Sequence, residues 1–347
     1  MDSIIRPIEW TGNSLRLLDQ RKLPGKEIYV EISEPEEVIV AIAKMIVRGA
    51  PAIGVTAGFG VALASCKVSD KAHGEAVNYL KKFCDALSKS RPTAVNLTAV
   101  VERMLDVIEN IQPHESISKV LIEEANNIQN ETVIADINMA ELGSGLIPLN
   151  STVLTHCNTG PLATSGYGTA LGVIRKAWEL GRVEHVFATE TRPWLQGSRL
   201  TLWELKRLGI PSTLIVDSAV GHIMKQGYID CVVVGADRIT ANGDVANKIG
   251  TLNLAIVSNS LGIPFFVVAP TTTLDLDIFD VNQIQIEERD PREITEFLGE
   301  PVSPPSVNVR NFAFDVTHND YVDAIITEVG IARKPYANSL KDLIRNG

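Results

Sequence analysis

At 347 residues, with 45% hydrophobic and 21% charged side chains, the chain exceeds one average domain and can bury a large core. A formal net charge of −10 argues against a general nucleic-acid or membrane-surface binder, because those partners are held by basic patches. The four cysteines (Cys66, Cys84, Cys157 and Cys231) have no CxxC spacing, which excludes the familiar zinc and redox motifs.

The opening MDSIIRPIEW lacks the basic flank and apolar run of a secretory signal. No apolar run approaches the roughly 20 residues of a membrane helix. A cytoplasmic protein with reduced thiols is expected.

The first thirty or so residues, ending in GKEIYVEI, read as short strands and turns. From Pro35 to about Leu142 the spacing becomes helical. PEEVIVAIAKMIV (35–47) begins with a proline and two glutamates, which suit a helix N-terminus. The stretches 76–90, 96–111 and 114–146 continue at 3.6-residue spacing. GSGLIPLN (143–150) is a helix stop followed by proline, and it predicts the domain boundary. Residues 1–147 then form a mainly helical domain with a short β start, and residues 148–347 an α/β domain.

Past that boundary, short apolar runs alternate with amphipathic stretches: TVLTHC (152–157), HVFAT (185–189), STLIV (212–216), CVVVG (231–235) and PFFVV (264–268). This alternation predicts βαβ units and a Rossmann-like, doubly wound parallel sheet covered on both faces. NFAFDV (311–316) is a further candidate strand.

Ligands of open α/β sheets bind beyond the carboxyl ends of the strands. Those ends carry His156, Cys157 and Asn158; Glu190, Arg192 and Gln196; Asp217, Ser218 and His222; Asp237, Arg238, Asn247 and Lys248; and APTTT (269–273). Each has a plainer reading. Asp217 and Asp237 could cap following helices, Arg192 and Arg199 could be surface groups, and His156 and His222 could be structural.

Cys157 is the sharpest case. Free cysteine is usually a buried, inert hydrophobe, yet a thiol at a strand end beside a helix N-terminus lies where thiolates and anions are stabilised. GYGTALG (166–172) misses the dinucleotide fingerprint, since NTGPLATS separates it from the strand. In the helical half, VRGAPAIGVTAGFG (47–60) and KSRPTAVNL (89–97) place Arg48 and Arg91 at helix junctions. Tight packing explains the small residues of the first; an anion such as phosphate explains both arginines.

In order and spacing, VRGAPAIG, SRPTAVNL, THCNTGPLATSGYGTALG, ATETRPWLQGSRLT, VVGADRITANGDVANKIGT and FAFDVT resemble the S-methyl-5-thioribose-1-phosphate isomerase family. That family belongs to the superfamily of the translation initiation factor 2B regulatory subunits. The resemblance runs nearly end to end.

It implies an aldose–ketose isomerisation in methionine salvage by a homodimer that needs no cofactor and no metal, with the active site in the cleft between its domains. It implies Cys157 and Asp237 as the catalytic pair. Arg48, Gly49, Ala50, Arg91, Gln196, Asn247 and Lys248 are the implied substrate contacts. Sister isomerases of 5-deoxyribose 1-phosphate or ribose 1,5-bisphosphate, and non-enzymatic regulatory subunits, are the alternatives.

The implied chemistry suits the residues. A sugar phosphorylated at its anomeric oxygen has no free aldehyde, so its ring must open before hydrogen can move between C2 and C1. Opening calls for a protonated acid near the ring oxygen. Asp237, behind the apolar CVVVGA, is expected to hold its proton through desolvation.

Overall fold

The structure is a computed structural model describing residues 5–91, 95–279, 283–284, 286–297 and 299–346. It divides into two units. One comprises the chain up to Ile137 together with Thr159–Gly168; the other comprises Asn138–Asn158 and the chain from Thr169 onward.

The first unit opens with an antiparallel sheet of β1 (Ile8–Trp10), β2 (Leu15–Leu18) and β3 (Tyr29–Ile32). Helices α1 (Pro35–Ala43), α2 (Ala50–Cys66), α3 (His73–Ser88) and α4 (Val95–Asn110) follow, and α5 (Ile117–Ser144) contains the division between the units. α1 ends earlier than its apolar spacing predicts. Met45 takes a left-handed φ of 55°, which ends the helix and leaves Ile46 and Val47 in the turn toward α2.

The glycine-rich stretch 47–60 is therefore mostly helix. α2 is buried from Ala52 to Ser65, as expected of a helix that is apolar all round. Its small residues let neighbours approach. A Cβ at Gly60 would lie 2.9 Å from Val38, and one at Gly54 would lie 3.2 Å from the Asn96 carbonyl oxygen. Phe59 and Leu63 share the core with Leu15, Leu17, Val38, Leu80, Leu97 and Met104. The short α6 (Pro161–Thr164) also belongs to this unit.

The second unit alternates strand and helix: β4 (Ser151–Thr155), α7 (Ala170–Glu179), β5 (Val183–Thr189), α8 (Leu202–Leu208), β6 (Ser212–Ile215), α9 (Val220–Lys225) and β7 (Cys231–Val234). A hairpin of β8 (Arg238–Thr240) and β9 (Val245–Lys248) leads to α10 (Thr251–Leu261) and β10 (Phe265–Val268). Short elements follow: β11 (Leu274–Asp275), α11 (Arg292–Thr295), β12 (Glu296–Phe297) and β13 (Glu300–Pro301). The unit closes with β14 (Phe314–Thr317), β15 (Ala324–Thr327), β16 (Gly330–Ala332) and α12 (Tyr336–Asn346).

Among the described residues the main sheet runs β16-β15-β10-β7-β4-β5-β6, parallel throughout except for the edge strand β16. Alternate side chains feed two cores. Leu154, Val232, Val234 and Phe265 pack with Leu254 of α10 and Leu340 of α12. Val153, Cys231, Val233 and Phe266 pack with Leu171 and Ile174 of α7 and Leu205 of α8. The sheet is thus covered on both faces, as the near-continuous apolar strands require.

β14 realises NFAFDV as a strand, but it pairs antiparallel with β9 in a second sheet, β11-β8-β9-β14. β15 and β16, which extend the main sheet, were not foreseen from their four- and three-residue runs.

Candidate functional site

Taken in chain order, the six parallel strands of the main sheet lie third-second-first-fourth-fifth-sixth, so the direction of winding reverses between β4 and β7. Crevices form at such reversals, beyond the carboxyl ends of the two strands. β4 and β7 pair in register through Val153–Cys231 and Leu154–Val232. Cys157 follows the first strand by two residues and Asp237 follows the second by three. The topology brings this pair to one end of adjacent strands.

Cys157 is half-buried and adopts a left-handed φ of 65°, unusual for a residue with a side chain. Side chains hold its backbone at both ends. Its N–H donates to Thr191 Oγ1 at 2.9 Å, and its carbonyl accepts from Thr201 Oγ1 at 2.6 Å. Thr191 is fixed in turn by Asp217, whose carboxylate accepts the N–H groups of Thr191 and Arg192, both at 2.7 Å. Asp217 thus pins the loop after β5. Next to the cysteine, Asn158 Nδ2 donates to Thr201 Oγ1 at 3.2 Å and to the buried Glu204.

His156 is structural. Its Nε2 lies 2.9 Å from the Ile249 carbonyl, which can only accept, so Nε2 carries the proton and Nδ1 accepts from Thr189 Oγ1 at 2.6 Å. Burial holds its pKa below the usual imidazole value and keeps the ring neutral. His222 is exposed on α9.

Asp237 is half-buried, and its N–H donates to the Ala246 carbonyl at 2.9 Å. The capping alternative fails here, because β8 and not a helix follows it. Arg238 faces Asp275 at 3.6 Å. Further along the hairpin, buried Asn247 donates from Nδ2 to Thr251 Oγ1 at 3.0 Å. Buried Lys248 donates to the Ala313 carbonyl at 2.9 Å, with its ammonium 4.2 Å from the Phe314 ring centroid.

Gln196 is 4% exposed, and its Oε1 has no hydrogen-bond partner among the described residues. A buried amide oxygen left so costs about 1–3 kcal/mol, which a bound hydroxyl would recover. A π-helical turn, Gly197–Thr201, follows it, a geometry frequent at functional sites. Arg192 and Arg199 are half-buried rather than surface groups. Arg192 donates to the Pro193 and Glu293 carbonyls; Arg199 donates to the Trp194 carbonyl and stacks on its ring.

In the first unit, Arg48 is buried and donates from Nε to Gln20 Oε1 at 3.1 Å, while Gln20 donates to the Leu162 carbonyl at 2.7 Å. Gly49 has φ +95°, and a Cβ there would lie 2.5 Å from the Ala163 carbonyl oxygen. Only glycine fits that position. Ala50 then begins α2. Arg91 is half-buried; Pro92, Thr93 and Ala94 of its motif lie outside the described residues.

Asp136 was not foreseen. Buried on α5, it accepts from Thr164 Oγ1 (2.6 Å), Tyr167 N (3.1 Å) and Gly168 N (2.8 Å), thereby ordering the loop 164–168. Its sequence neighbourhood, VIADINMAE, gives no signal beyond a polar helix position. Among the described residues no group of three His, Cys, Asp or Glu side chains could hold a metal ion, and no helix is long and apolar enough to cross a membrane.

The initiation factor 2 subunit family model matches residues 46–334. A methylthioribose-1-phosphate isomerase from Acetivibrio thermocellus is 51% identical over 339 residues, 97% of this chain and 99% of that one. The crystal structure of 5-methylthioribose 1-phosphate isomerase from Pyrococcus horikoshii OT3 superposes with a TM-score of 0.94 at 40% identity, covering 99% of this chain and 96% of that one. A crystal structure described as translation initiation factor eIF-2B, subunit delta, from A. fulgidus gives 0.90 at 41% identity, with 98% and 99% covered. The chain belongs to the initiation factor 2 subunit family, where it groups with relatives named methylthioribose-1-phosphate isomerase.

Proposed function

We propose that this chain is an aldose–ketose isomerase that converts 5-methylthioribose 1-phosphate to 5-methylthioribulose 1-phosphate in methionine salvage. The observation that carries the reading is the position of Cys157 and Asp237 beyond the adjacent strands β4 and β7, where the winding reverses. A thiol and a carboxyl brought to one sheet end by topology suit a reaction that needs both an acid and a second proton-handling group.

Asp237 donates a proton to the ring oxygen as the C1–O4 bond breaks. Hydrogen then moves from C2 to C1, served by Cys157, and the C2 hydroxyl becomes the ketone as its proton passes back to the Asp237 carboxylate, which restores the acid. Atoms and electrons balance within the sugar, so no external oxidant or reductant takes part. Arg48, Arg91 and Lys248 are assigned to the phosphate, where charge-assisted hydrogen bonds are strongest. Gly49 and Ala50 are assigned to the same substrate. Gln196 and Asn247 are assigned to its hydroxyls, which the unpartnered Gln196 Oε1 supports. A cytoplasmic homodimer working without metal or nicotinamide completes the proposal.

A panel of sugar 1-phosphates, incubated with the purified chain after exhaustive chelation and without cofactor, tests it. Ketose formation fastest from 5-methylthioribose 1-phosphate is expected. A preference for 5-deoxyribose 1-phosphate or ribose 1,5-bisphosphate would replace the substrate. No turnover of any member would favour the second reading, a non-enzymatic subunit, which the likeness to the A. fulgidus protein keeps in view.

A further inference from the structure

The FAFDVT motif supplies β14, whose role the proposed reaction leaves open. Within it Asp315 pairs in register with Asn247, and Phe314 with Lys248. The Asp315 carboxylate accepts the Gly250 N–H at 2.7 Å and the Leu252 N–H at 3.1 Å. The other end of the Ile249–Gly250 peptide group, its carbonyl, accepts from His156 Nε2 at 2.9 Å.

A single peptide unit is thus gripped at its oxygen by the residue preceding Cys157 and at its N–H by β14. Gly250 makes this fit possible. Its φ is +103°, and a Cβ there would meet the His156 ring at 3.1–3.2 Å.

We infer that His156 and Asp315 are a pair of positioning residues that clamp the Ile249–Gly250 peptide and thereby set Asn247 and Lys248 relative to Cys157. This rests on the isomerase reading for its consequence but not for its geometry. Cys157 has its own backbone anchors in Thr191 and Thr201, so loosening the clamp displaces the Asn247–Lys248 side first. The loss should therefore fall on substrate binding rather than on the chemical step.

The test uses the full chain with His156→Gln, Asp315→Asn and the double variant. Glutamine retains a donor for the Ile249 carbonyl. Asparagine loses one of the two acceptors for the Gly250 and Leu252 N–H groups, so both variants weaken the clamp with little change in volume. Each should raise KM for the sugar phosphate about tenfold with kcat within about threefold of the parent.

Because both residues act through one peptide, the double variant should be no more than about threefold worse in kcat/KM than the poorer single variant. Losses that multiply, or a fall in kcat at unchanged KM, which a reduced folded fraction would give, overturn the inference. Hydrogen exchange in the substrate-free chain is the second readout. The Gly250 and Leu252 amides should exchange at least tenfold faster in either variant, and unchanged exchange refutes the clamp. Should the parent itself turn over no sugar phosphate, the functional reading fails while exchange still decides the clamp.

Discussion

Two stretches rich in glycine and small residues, 47–60 and 157–172, look alike in the sequence and do opposite things in the structure. In the first, small size serves packing. α2 is buried along its length, and Gly54, Gly58 and Gly60 admit Asn96, Ile128 and Val38 to van der Waals distance. In the second, small polar neighbours serve backbone control. Cys157 is held in a left-handed conformation by two threonine hydroxyls. Each stretch has a residue with positive φ at its working end. In one it is Gly49, where only glycine fits; in the other it is a cysteine, kept despite the strain. Strain at a position where glycine would be easier points to a side chain that is needed.

The sharpest way to break this contrast is at Cys157 itself. Serine matches its size but raises the pKa of the group by several units and weakens it as a proton carrier. Cys157→Ser is expected to fold normally and bind substrate while losing about 10³-fold in turnover, roughly 4 kcal/mol on the barrier. Asp237→Asn is expected to behave similarly. The other cysteines provide the control. Burial pushes the thiols of Cys84 and Cys231 up to about 12, so neither is a reactive group near neutral pH. Near-parental turnover in Cys157→Ser, measured beside Cys66→Ser, would return that thiol to the inert reading.

The same contrast separates what was legible in the sequence from what was not. The parallel strands were visible because fully buried strands read as apolar runs, and the acids and amides after them marked the sheet's carboxyl end. The order of those strands was not visible, and that order makes neighbours of β4 and β7, the strands that Cys157 and Asp237 follow. The nature of stretch 47–60 was ambiguous, since the same small residues serve close helix packing and close approach to an anion. Thr191 and Thr201 lie in the motif ATETRPWLQGSRLT but carry no sign of their role there, and Asp136 gave no signal at all. Their roles are hydrogen bonds to backbone groups 31 to 44 residues away, which no local pattern encodes.

Packing on the α2 side predicts a loss of stability. A Cβ at Gly49 would sit 2.5 Å from a backbone oxygen, at a φ that side chains avoid. Gly49→Ala should therefore cost about 3 kcal/mol in denaturant unfolding, combining backbone strain with overpacking. Gly60→Ala, where Val38 is a side chain that can shift, should cost about 1–2 kcal/mol. Equal and negligible losses at both positions would show that α2 is not packed as described.

Arg48 tests whether the packed stretch also takes part in binding. Removing one charge-assisted contact to phosphate is worth about 1.5–3 kcal/mol. Arg48→Ala and Arg91→Ala should each raise KM by about one to two orders of magnitude, with smaller changes in kcat. Unchanged KM in both variants would place the phosphate elsewhere and leave stretch 47–60 as packing alone.

The smallest effect sharpens the comparison through pH. Burial pushes the Asp315 carboxyl up to about 6 from its usual 3.8, against the Gly250 and Leu252 N–H groups and Lys248, which favour the charged form. Between those values the folded chain binds more protons than the unfolded one. The Asp315 contribution to stability is therefore greatest below about pH 4, falls as pH rises toward 6, and is level above. At about 1.36 kcal/mol per unit the shift amounts to about 3 kcal/mol, which solvent screening at this half-buried group reduces to about 1–2 kcal/mol. Glu131, held below the usual carboxylate range by its hydrogen bonds to Arg103, slopes the opposite way but does so equally in parent and variant. Asp315→Asn removes only the Asp315 slope. Its stability relative to the parent should improve by about 1–2 kcal/mol between pH 4 and pH 7, read from unfolding curves at the two pH values. Gly60→Ala, whose added methyl would come nearest to the Val38 side chain, should cost the same at both. A difference between parent and Asp315→Asn that does not move with pH would mean that Asp315 holds its loop without any cost of burial, and the two stretches would then differ in geometry but not in electrostatics.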